Sequence, residues 1–198
     1  MCERNGTICG SGGSDTIYTT HYHSPIGDLL LAARDPYALG GLWIEGQKYF
    51  PKLNGEMPVG LEELPIFQQT GQWLDRYFAG ERPRVSELQL APSGSEFAKR
   101  VWNIMKEIPY GGTTTYGKIA EQIARERGVA RMSAQAVGGA VGHNPILIIF
   151  PCHRVVGSNG SLTGYAGGMD RKVKLLEHEG VDISKFFIPR GLSEIKEV

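Results

Sequence analysis

The sequence PCHRV places a cysteine and a histidine side by side, Cys152 and His153, after the apolar run ILIIF, which predicts a short buried strand. A thiol attacks as its thiolate, so it needs a base or a positive environment that lowers its pKa. The neighbouring imidazole can be that base if the chain bends there or if a water lies between the two groups. A carboxylate would fix the imidazole tautomer, and the segment DRKVKLLEHEG offers Glu177 and Glu179. This combination is typical of a nucleophilic cysteine.

A structural cysteine is the alternative explanation of the same stretch. Free cysteine is among the most frequently buried residue types, and most buried thiols are inert. Val or Ile would, however, suit the end of an apolar strand better than a thiol that directly precedes His153 and Arg154. The choice depends on whether the rest of the chain supplies a base network and a substrate pocket.

The composition is that of a globular protein. Of the 198 residues, 41% are hydrophobic and 21% are charged, and no run approaches the ~18 apolar residues of a membrane span. The N-terminal sequence lacks the apolar core of a secretory signal, so we expect residues 1–14 to form a flexible Gly/Ser-rich leader. Three cysteines give no disulfide framework. The sequence thus predicts a protein of a reducing compartment, the cytoplasm, or the nucleus if the source is eukaryotic, with no membrane partner.

Cysteines and histidines near the N-terminus raise the question of zinc. Cys2, Cys9, His21 and His23 are all potential ligands. Their spacing, however, matches no zinc-finger pattern. We therefore predict no metal site.

The first half of the chain predicts a small α/β unit. Up to about residue 50, short β-prone runs alternate with the turn sequences SPIG and RDPYALGG, which is typical of a small antiparallel sheet. The next segment has apolar residues at helical spacing from Phe67 to Phe78 and stops at Gly80. The sequence VSELQL could add a strand. We expect an N-terminal domain over residues 15–92.

After residue 92 the pattern becomes helical. Ser93 followed by Glu96 has the spacing of a capping box before a helix with an apolar stripe. Two further short helices are predicted over about 116–127 and 134–142, joined by the turn GVARMS. Such a pair is what a helix-turn-helix looks like in sequence. We expect a mostly helical C-terminal domain over residues 93–198.

Charge and small side chains favour DNA as the partner of this second half. Residues 1–93 carry 7 Lys and Arg against 11 Asp and Glu, a net of −4, whereas residues 94–180 carry 11 against 7, a net of +4. The helix sequence AQAVGGAVG has a face without bulk that could approach a DNA groove closely, with Arg125, Arg127 and Arg131 available for phosphates. Close packing against another helix would explain the same smooth face.

Several stretches together resemble one protein family. PCHRV, the upstream TTYGKIA and AQAVGGAVGHNP, and the downstream GSLTGYAGGMDRKVKLLEHEG closely resemble the O6-alkylguanine-DNA alkyltransferases, also called methylated-DNA–protein-cysteine methyltransferases. The resemblance extends from about SPIGDLLLA to Gly180. It implies the fold expected above: an α/β N-terminal domain (small antiparallel sheet plus helix), then a mostly helical C-terminal domain with a helix-turn-helix.

The resemblance also implies a function, DNA repair by direct damage reversal. The family flips O6-alkylguanine out of double-stranded DNA, because a base atom inside the duplex cannot reach a protein nucleophile. The alkyl group then passes irreversibly to the protein's own cysteine, once per chain. O4-alkylthymine is a second expected substrate. No cofactor is implied, since the lesion itself carries the alkyl group, and we expect a monomer.

Site residues follow from the resemblance position by position. Cys152 is implied as the alkyl acceptor, His153 as its water-linked base and Glu179 as the carboxylate that orients the histidine. Asn144 would brace the turn behind the site. Tyr116 would donate to N3 of the guanine and crowd the backbone phosphate, which favours rotation of the nucleotide.

A substrate pocket and a DNA surface are implied in the same way. Tyr165 would line the pocket, main-chain carbonyls of Cys152 and Val155 would accept from the exocyclic amine, and the Ala166 amide would meet O6. The implied pocket residues are Tyr165, Val155, Ala166 and Gly167. The implied DNA-binding residues are Gln135, Ala136, Gly138, Thr115, Arg131 and Arg154.

Position 135 departs from the family pattern. The family often has an arginine there, which fills the gap left by the flipped base, whereas this chain has Gln135. Glutamine can hydrogen-bond the orphaned cytosine but lacks the charge. We expect weaker assistance to extrusion unless Arg131 substitutes.

Two other classes of function fit the residues alone. One is a DNA-binding regulator or damage sensor in which Cys152 belongs only to the core, and the other is a cysteine hydrolase of small molecules. Stoichiometric reaction with alkylated DNA separates the three, because a hydrolase turns over and a sensor binds without gaining mass.

Overall fold

The computed structural model describes residues 17–51 and 64–189. Its N-terminal part contains a three-stranded antiparallel sheet in the order β1–β2–β3, formed by β1 (Tyr18–Ser24), β2 (Gly27–Asp35) and β3 (Ala38–Ile44). The central strand β2 is buried over five consecutive residues, from Leu29 to Ala33. This arrangement confirms the small antiparallel sheet predicted from the alternating β-prone runs.

One helix covers the sheet. Helix α1 (Pro65–Phe78) begins with a proline, whose fixed φ suits the first helical position. Its buried face includes Phe67, Leu74 and Tyr77. The helix ends before Gly80, which adopts the left-handed conformation at φ +86°. The predicted sheet-plus-helix unit is therefore present.

The C-terminal part is mostly helical. Its helices are α2 (Glu96–Lys106), α3 (Tyr116–Arg127), α4 (Ala134–Gly142) and α5 (Met169–His178). Two short strands, β4 (Thr114–Thr115) and β5 (Val155–Val156), pair in parallel. Helices α3 and α4 pack against each other and are joined by a turn that begins at Gly128, φ +65°. This pair confirms the helix-turn-helix.

Three local predictions are wrong. Helix α2 is capped by Ser95, whose hydroxyl accepts from the Ala98 amide, and not by Ser93. VSELQL contains a short 3₁₀ turn and a single bridge from Leu90 to Leu39, not a strand. ILIIF is a buried turn in which the Phe150 amide donates to the Ile146 carbonyl at 2.9 Å. The run is apolar because it is buried, and short apolar runs do not reveal their backbone geometry.

Strand β3 connects the two parts of the chain through its outer edge. Within the N-terminal part, the Leu39 amide donates to the Gln89 carbonyl at 2.9 Å. Further along, the Leu42 amide donates to Pro145, and its carbonyl accepts from the Leu147 amide, at 2.8 and 2.9 Å. Most buried hydrophobic side chains of both parts form one continuous cluster, and Val156, Leu162 and Leu176 form a second, smaller one. The turn after Asn144 is thus held directly by the N-terminal sheet.

The predicted leader and two of the candidate zinc ligands, Cys2 and Cys9, lie outside the described residues. The other two candidates, His21 and His23, bind carboxylates. Nδ1 of His21 lies 3.0 Å from Glu45, and Nδ1 of His23 lies 2.6 Å from Asp28. Across residues 17–51 and 64–189, no cluster of three His, Cys, Asp or Glu side chains could hold a metal ion. Within the same ranges, no helix has both the length and the apolar character needed to cross a bilayer.

Candidate active site

Cys152 opens a 3₁₀ turn, Cys152–Arg154, directly after Pro151. The Cys152 amide donates to the Phe150 carbonyl at 2.8 Å, and the Arg154 amide donates to Pro151 at 2.9 Å. The chain therefore bends at the thiol, so Cys152 and His153 do not alternate across a strand. Cys152 is 2% exposed and the His153 side chain is fully buried.

Asn144 braces the turn that carries the thiol. Its side-chain amide donates to the Cys152 sulfur at 3.1 Å and to the Phe150 carbonyl at 2.7 Å. Its oxygen accepts from the Ile146 amide at 3.0 Å. One buried side chain thus fixes both the backbone of the turn and the position of Sγ.

The carboxylate of Glu179 is buried behind His153, where several polar groups contact it. Nε2 of His153 lies 2.7 Å from its Oε1. Arg154 donates to both carboxylate oxygens at 2.8 Å, and the Gly111 amide donates to Oε2 at 3.2 Å. Nδ1 of His153 is buried and has no hydrogen-bond partner among the described residues. Since Nε2 is engaged by the carboxylate, Nδ1 is the nitrogen left for proton transfer.

The alternative carboxylate is excluded by its position. Glu177 is exposed on α5, whereas Glu179 is 5% exposed directly after that helix. Of the two candidates from the sequence, only Glu179 contacts His153.

Burial dominates the titration of the thiol and the imidazole. It raises the pKa of Cys152 to about 11, although the Asn144 hydrogen bond and the Lys172 charge act in the opposite direction. Burial also lowers the pKa of His153 below its ordinary value, and the Glu179 carboxylate offsets part of that effect. For Glu179, burial raises the pKa, but hydrogen bonds from His153 and Arg154 outweigh it and hold the pKa well below its usual range.

Lys172 belongs to the site and was missed from the sequence. Its side chain is fully buried on α5, and Nζ donates to the carbonyls of Val155 and Thr163 at 2.7 and 2.8 Å. Burial lowers the pKa of Lys172 to about 8, while the charge on Cys152 acts to raise it. The signal in the sequence was available, because a lysine three residues before Leu175 lies on the apolar face of the helix.

Two tyrosines lie near the thiol. Tyr165 is 6% exposed, and burial followed by the charge on Cys152 raises the pKa of its phenol. The same two causes raise the pKa of Tyr116, whose hydroxyl donates to the Thr163 carbonyl at 2.9 Å. Both phenols therefore remain protonated near Sγ, and the buried Tyr165 hydroxyl has no hydrogen-bond partner among the described residues.

The loop after Tyr165 is tied to the rest of the protein by its carbonyls. Ala166 accepts from the Lys48 amide at 3.0 Å, and Gly167 accepts from Arg171 at 3.1 Å. The amide of Ala166 is the group that the resemblance assigns to the base.

The expected DNA-binding residues divide into two groups. Gln135, Ala136 and Arg131 are exposed at the start of α4 or just before it, and Gly138 is half-buried. Thr115 caps α3, since its hydroxyl accepts from the Lys118 amide at 3.1 Å.

Arg154 requires a correction. It was expected at the DNA surface, but it is 8% exposed, forms the ion pair with Glu179 and donates to the Ile108 carbonyl at 2.6 Å. A guanidinium held in this way is not available to a phosphate.

Comparison with known proteins gives consistent matches over both parts of the chain. Residues 17–92 match the 6-O-methylguanine DNA methyltransferase ribonuclease-like domain, and residues 96–181 match the DNA-binding domain of the same name. A methylated-DNA–protein-cysteine methyltransferase of Methanosarcina acetivorans is 43% identical over 169 residues, which are 83% of this chain and 99% of the relative. One from Mycolicibacterium paratuberculosis is 48% identical over 156 residues, 79% and 88% of the two chains.

Solved structures agree. The structure of Mycobacterium tuberculosis OGT in complex with DNA matches with a TM-score of 0.70 and 40% identity, covering 85% of this chain and 94% of that one. The Mycobacterium tuberculosis O6-methylguanine methyltransferase matches with a TM-score of 0.69 and 39% identity, covering 91% of this chain and all of that one.

Proposed function

Because the chain belongs to the 6-O-methylguanine DNA methyltransferase family, we propose that it repairs O6-alkylguanine in duplex DNA by moving the alkyl group to Cys152. The position of the Cys152 sulfur supports Cys152 as the alkyl acceptor. Asn144 binds this sulfur, and the next residue, His153, contacts the buried carboxylate of Glu179. An inert core cysteine needs neither contact. O4-alkylthymine is a second proposed substrate.

His153 is the base in this proposal. With a pKa of about 11, the buried thiol is largely protonated at neutral pH, so its proton must be removed for the reaction. Nδ1 of His153 takes the proton through a bridging water, and Glu179 at Nε2 stabilises the resulting imidazolium. The Asn144 donor and the Lys172 charge stabilise the thiolate.

The transfer itself is an in-line displacement. The thiolate forms a bond to the alkyl carbon while the bond from that carbon to O6 breaks, and the electron pair leaves with the guanine. Tyr116 donates to N3 of the departing base and must exchange the Thr163 carbonyl for it. The product is a thioether on Cys152, which none of these groups is placed to hydrolyse. Each chain therefore acts once.

The remaining site residues serve the base and the DNA. The proposed pocket for the flipped base is formed by Tyr165, Val155, Ala166 and Gly167. The proposed groove contacts come from Gln135, Ala136 and Gly138 of α4, with Thr115 and Arg131 beside them. A helix with so little bulk implies few base-specific contacts, so phosphates should dominate the affinity.

We propose the same division of the chain as the sequence suggested. Residues 15–92 form the N-terminal domain and residues 93–198 form the DNA-binding and alkyl-acceptor domain, a division supported by the two matched ranges. We also propose a monomer located in the cytoplasm, or in the nucleus if the source is eukaryotic.

The experiment that tests the function uses a duplex with one O6-methylguanine. After incubation with an excess of DNA, mass spectrometry of the peptides should find one methyl group per chain, on Cys152. Cys152→Ala should abolish the transfer and still bind the duplex. Transfer by that variant would contradict the assignment. Repeated turnover would indicate a hydrolase, and binding without any mass gain would indicate a sensor.

A further inference from the structure

Tyr77, a residue of the N-terminal part of the protein, contacts the carboxylate of Glu179. It lies on α1, is 1% exposed, and is 102 residues distant in sequence from Glu179. Its hydroxyl donates to Oε1 of Glu179 at 2.7 Å. This is the same oxygen that lies 2.7 Å from Nε2 of His153. The two domains therefore meet at the one atom that orients the histidine.

The tyrosine is held in place on several sides. Nε2 of His178 lies 2.8 Å from the Tyr77 carbonyl. Two consecutive residues, His178 and Glu179, therefore bind the backbone and the hydroxyl of Tyr77. The Tyr77 ring stacks on Trp73, with centroids 5.6 Å apart and planes at 8°, and meets Tyr110 edge-on at 6.0 Å. A ring packed in this way cannot turn its hydroxyl away without disturbing the core.

We propose that Tyr77 is a positioning residue for alkyl transfer, acting through Glu179 on His153. The inference rests on the proposed function. A buried carboxylate keeps its orientation only while its oxygens are bound, and a hydrogen bond to a charged group is worth more than a neutral one. Without the hydroxyl, Oε1 loses one donor and is held beside the imidazole by Arg154 alone, so the carboxylate and the imidazole are less firmly oriented. Nδ1 is then less well aligned with the thiol.

Tyr77 can supply this hydrogen bond throughout the working pH range. Burial, followed by the charge on Glu179, raises the pKa of its phenol far above the ordinary value. The proton therefore stays on Tyr77, which acts as a donor and not as an acid. No contact with the thiol or with a substrate is required of it.

The test compares Tyr77→Phe with a matched control on neighbouring elements. Tyr22→Phe removes the same kind of bond, a tyrosine hydroxyl donating to a carboxylate at 2.7 Å, but its partner Asp75 lies on the exposed side of α1. Single-turnover transfer from the O6-methylguanine duplex is measured at saturating DNA across a pH series, together with DNA affinity. Phenylalanine keeps the ring, so the core is preserved.

For Tyr77→Phe we expect the plateau rate to fall about tenfold, the effect of one hydrogen bond to a charged group, with unchanged DNA affinity. The pH midpoint of the rate should move to higher pH, because a carboxylate with one donor fewer stabilises the imidazolium more strongly and so raises the pKa of His153, which must be neutral to take the proton. Tyr22→Phe should keep the wild-type rate and midpoint. A structural role alone would leave the midpoint in place.

A double variant tests the route. In a Glu179→Gln background, Tyr77→Phe should change the rate by less than about twofold, because the two residues act as one unit. The inference is overturned if Tyr77→Phe keeps the wild-type rate and midpoint, or if it slows both backgrounds by the same factor. Failure of the proposed function is separately visible, since the wild-type chain would then gain no methyl group.

Discussion

At the scale of single residues, the reactivity of Cys152 depends on its neighbours and not on its own acidity. Burial raises the pKa of the thiol and so opposes its ionisation. The hydrogen bond from the Asn144 amide and the charge of Lys172 lower that pKa. The proposed proton acceptor, His153, is itself bound by Glu179. The loss of any one of these neighbours should therefore change the pH at which the thiolate forms.

Asn144→Ala tests this dependence. Without the amide, the pKa of Cys152 should rise further, so the transfer rate at neutral pH should fall about tenfold and recover as the pH is raised. The buried groups left unsatisfied should also lower the free energy of unfolding by about 1–3 kcal/mol each. Single-turnover rates across a pH series and urea denaturation measure the two effects.

The matched control is Asn159→Ala. Asn159 also accepts from a backbone amide in a turn, that of Ser161 at 3.1 Å, but it is exposed and does not contact the thiol. It should leave the pH profile unchanged. An Asn144 variant with the wild-type profile would refute the role assigned to the amide.

Individual residues also show what the sequence could and could not predict. Cys152 and His153 are recognisable from their adjacency, and the residues alone leave Glu177 and Glu179 open. The resemblance points to Glu179, and the structure shows that this carboxylate contacts His153. Tyr77 gave no signal, because an aromatic residue on an apolar helix face is ordinarily core. The resemblance implies a DNA contact for Arg154, and the sequence does not reveal its ion pair with Glu179, which lies 25 residues further along the chain.

At the scale of elements, helix α4 is built to be smooth. It begins after Ser133, whose hydroxyl accepts from the Ala136 amide at 3.2 Å. A Cβ at Gly138 would meet only the Tyr116 ring, at 3.9 Å, and a Cβ at Gly139 would meet nothing within 4 Å. The protein itself therefore does not require either glycine for space.

Substitution of the two glycines separates stability from DNA binding. Gly138→Ala and Gly139→Ala should each raise the free energy of unfolding by about 0.5–1 kcal/mol, because alanine loses less conformational freedom in a helix. Only Gly138→Ala should weaken binding to duplex DNA, since its side chain would occupy the proposed groove contact. Thermal unfolding and fluorescence anisotropy measure the two effects. Equal DNA affinity for both variants would contradict the contact.

The elements themselves were largely predictable, since helices longer than two turns carry a clear apolar period. The ranges expected for α3 and α4 agree with the structure. The failure at ILIIF has a physical cause: Ile148 adopts φ +67°, a conformation that its residue type disfavours and that only the surrounding contacts impose.

At the scale of the whole molecule, charge is separated between the two halves of the chain. The basic half, residues 94–180, includes both the helix-turn-helix and the thiol. An electrostatic attraction to phosphates that is not sequence-specific should therefore bring DNA to the face that reacts.

The salt dependence of DNA binding tests this distribution. Affinity for a duplex should fall linearly on a log–log plot against salt concentration, and Arg131→Ala should reduce the slope by about 1, the value for one phosphate contact. Arg100→Ala is the matched control, because its guanidinium is already paired with Glu126. Equal reductions in slope for the two variants would show that Arg131 has no special place at the interface.

The burial of the sulfur has a consequence for the time before any lesion is met. Peroxide and disulfide-forming reagents consume thiols that are both ionised and accessible. Cys152 is 2% exposed, and its pKa of about 11 keeps the resting side chain protonated. For a protein that, as proposed, reacts only once, this burial should slow oxidation of the sulfur before a lesion is met.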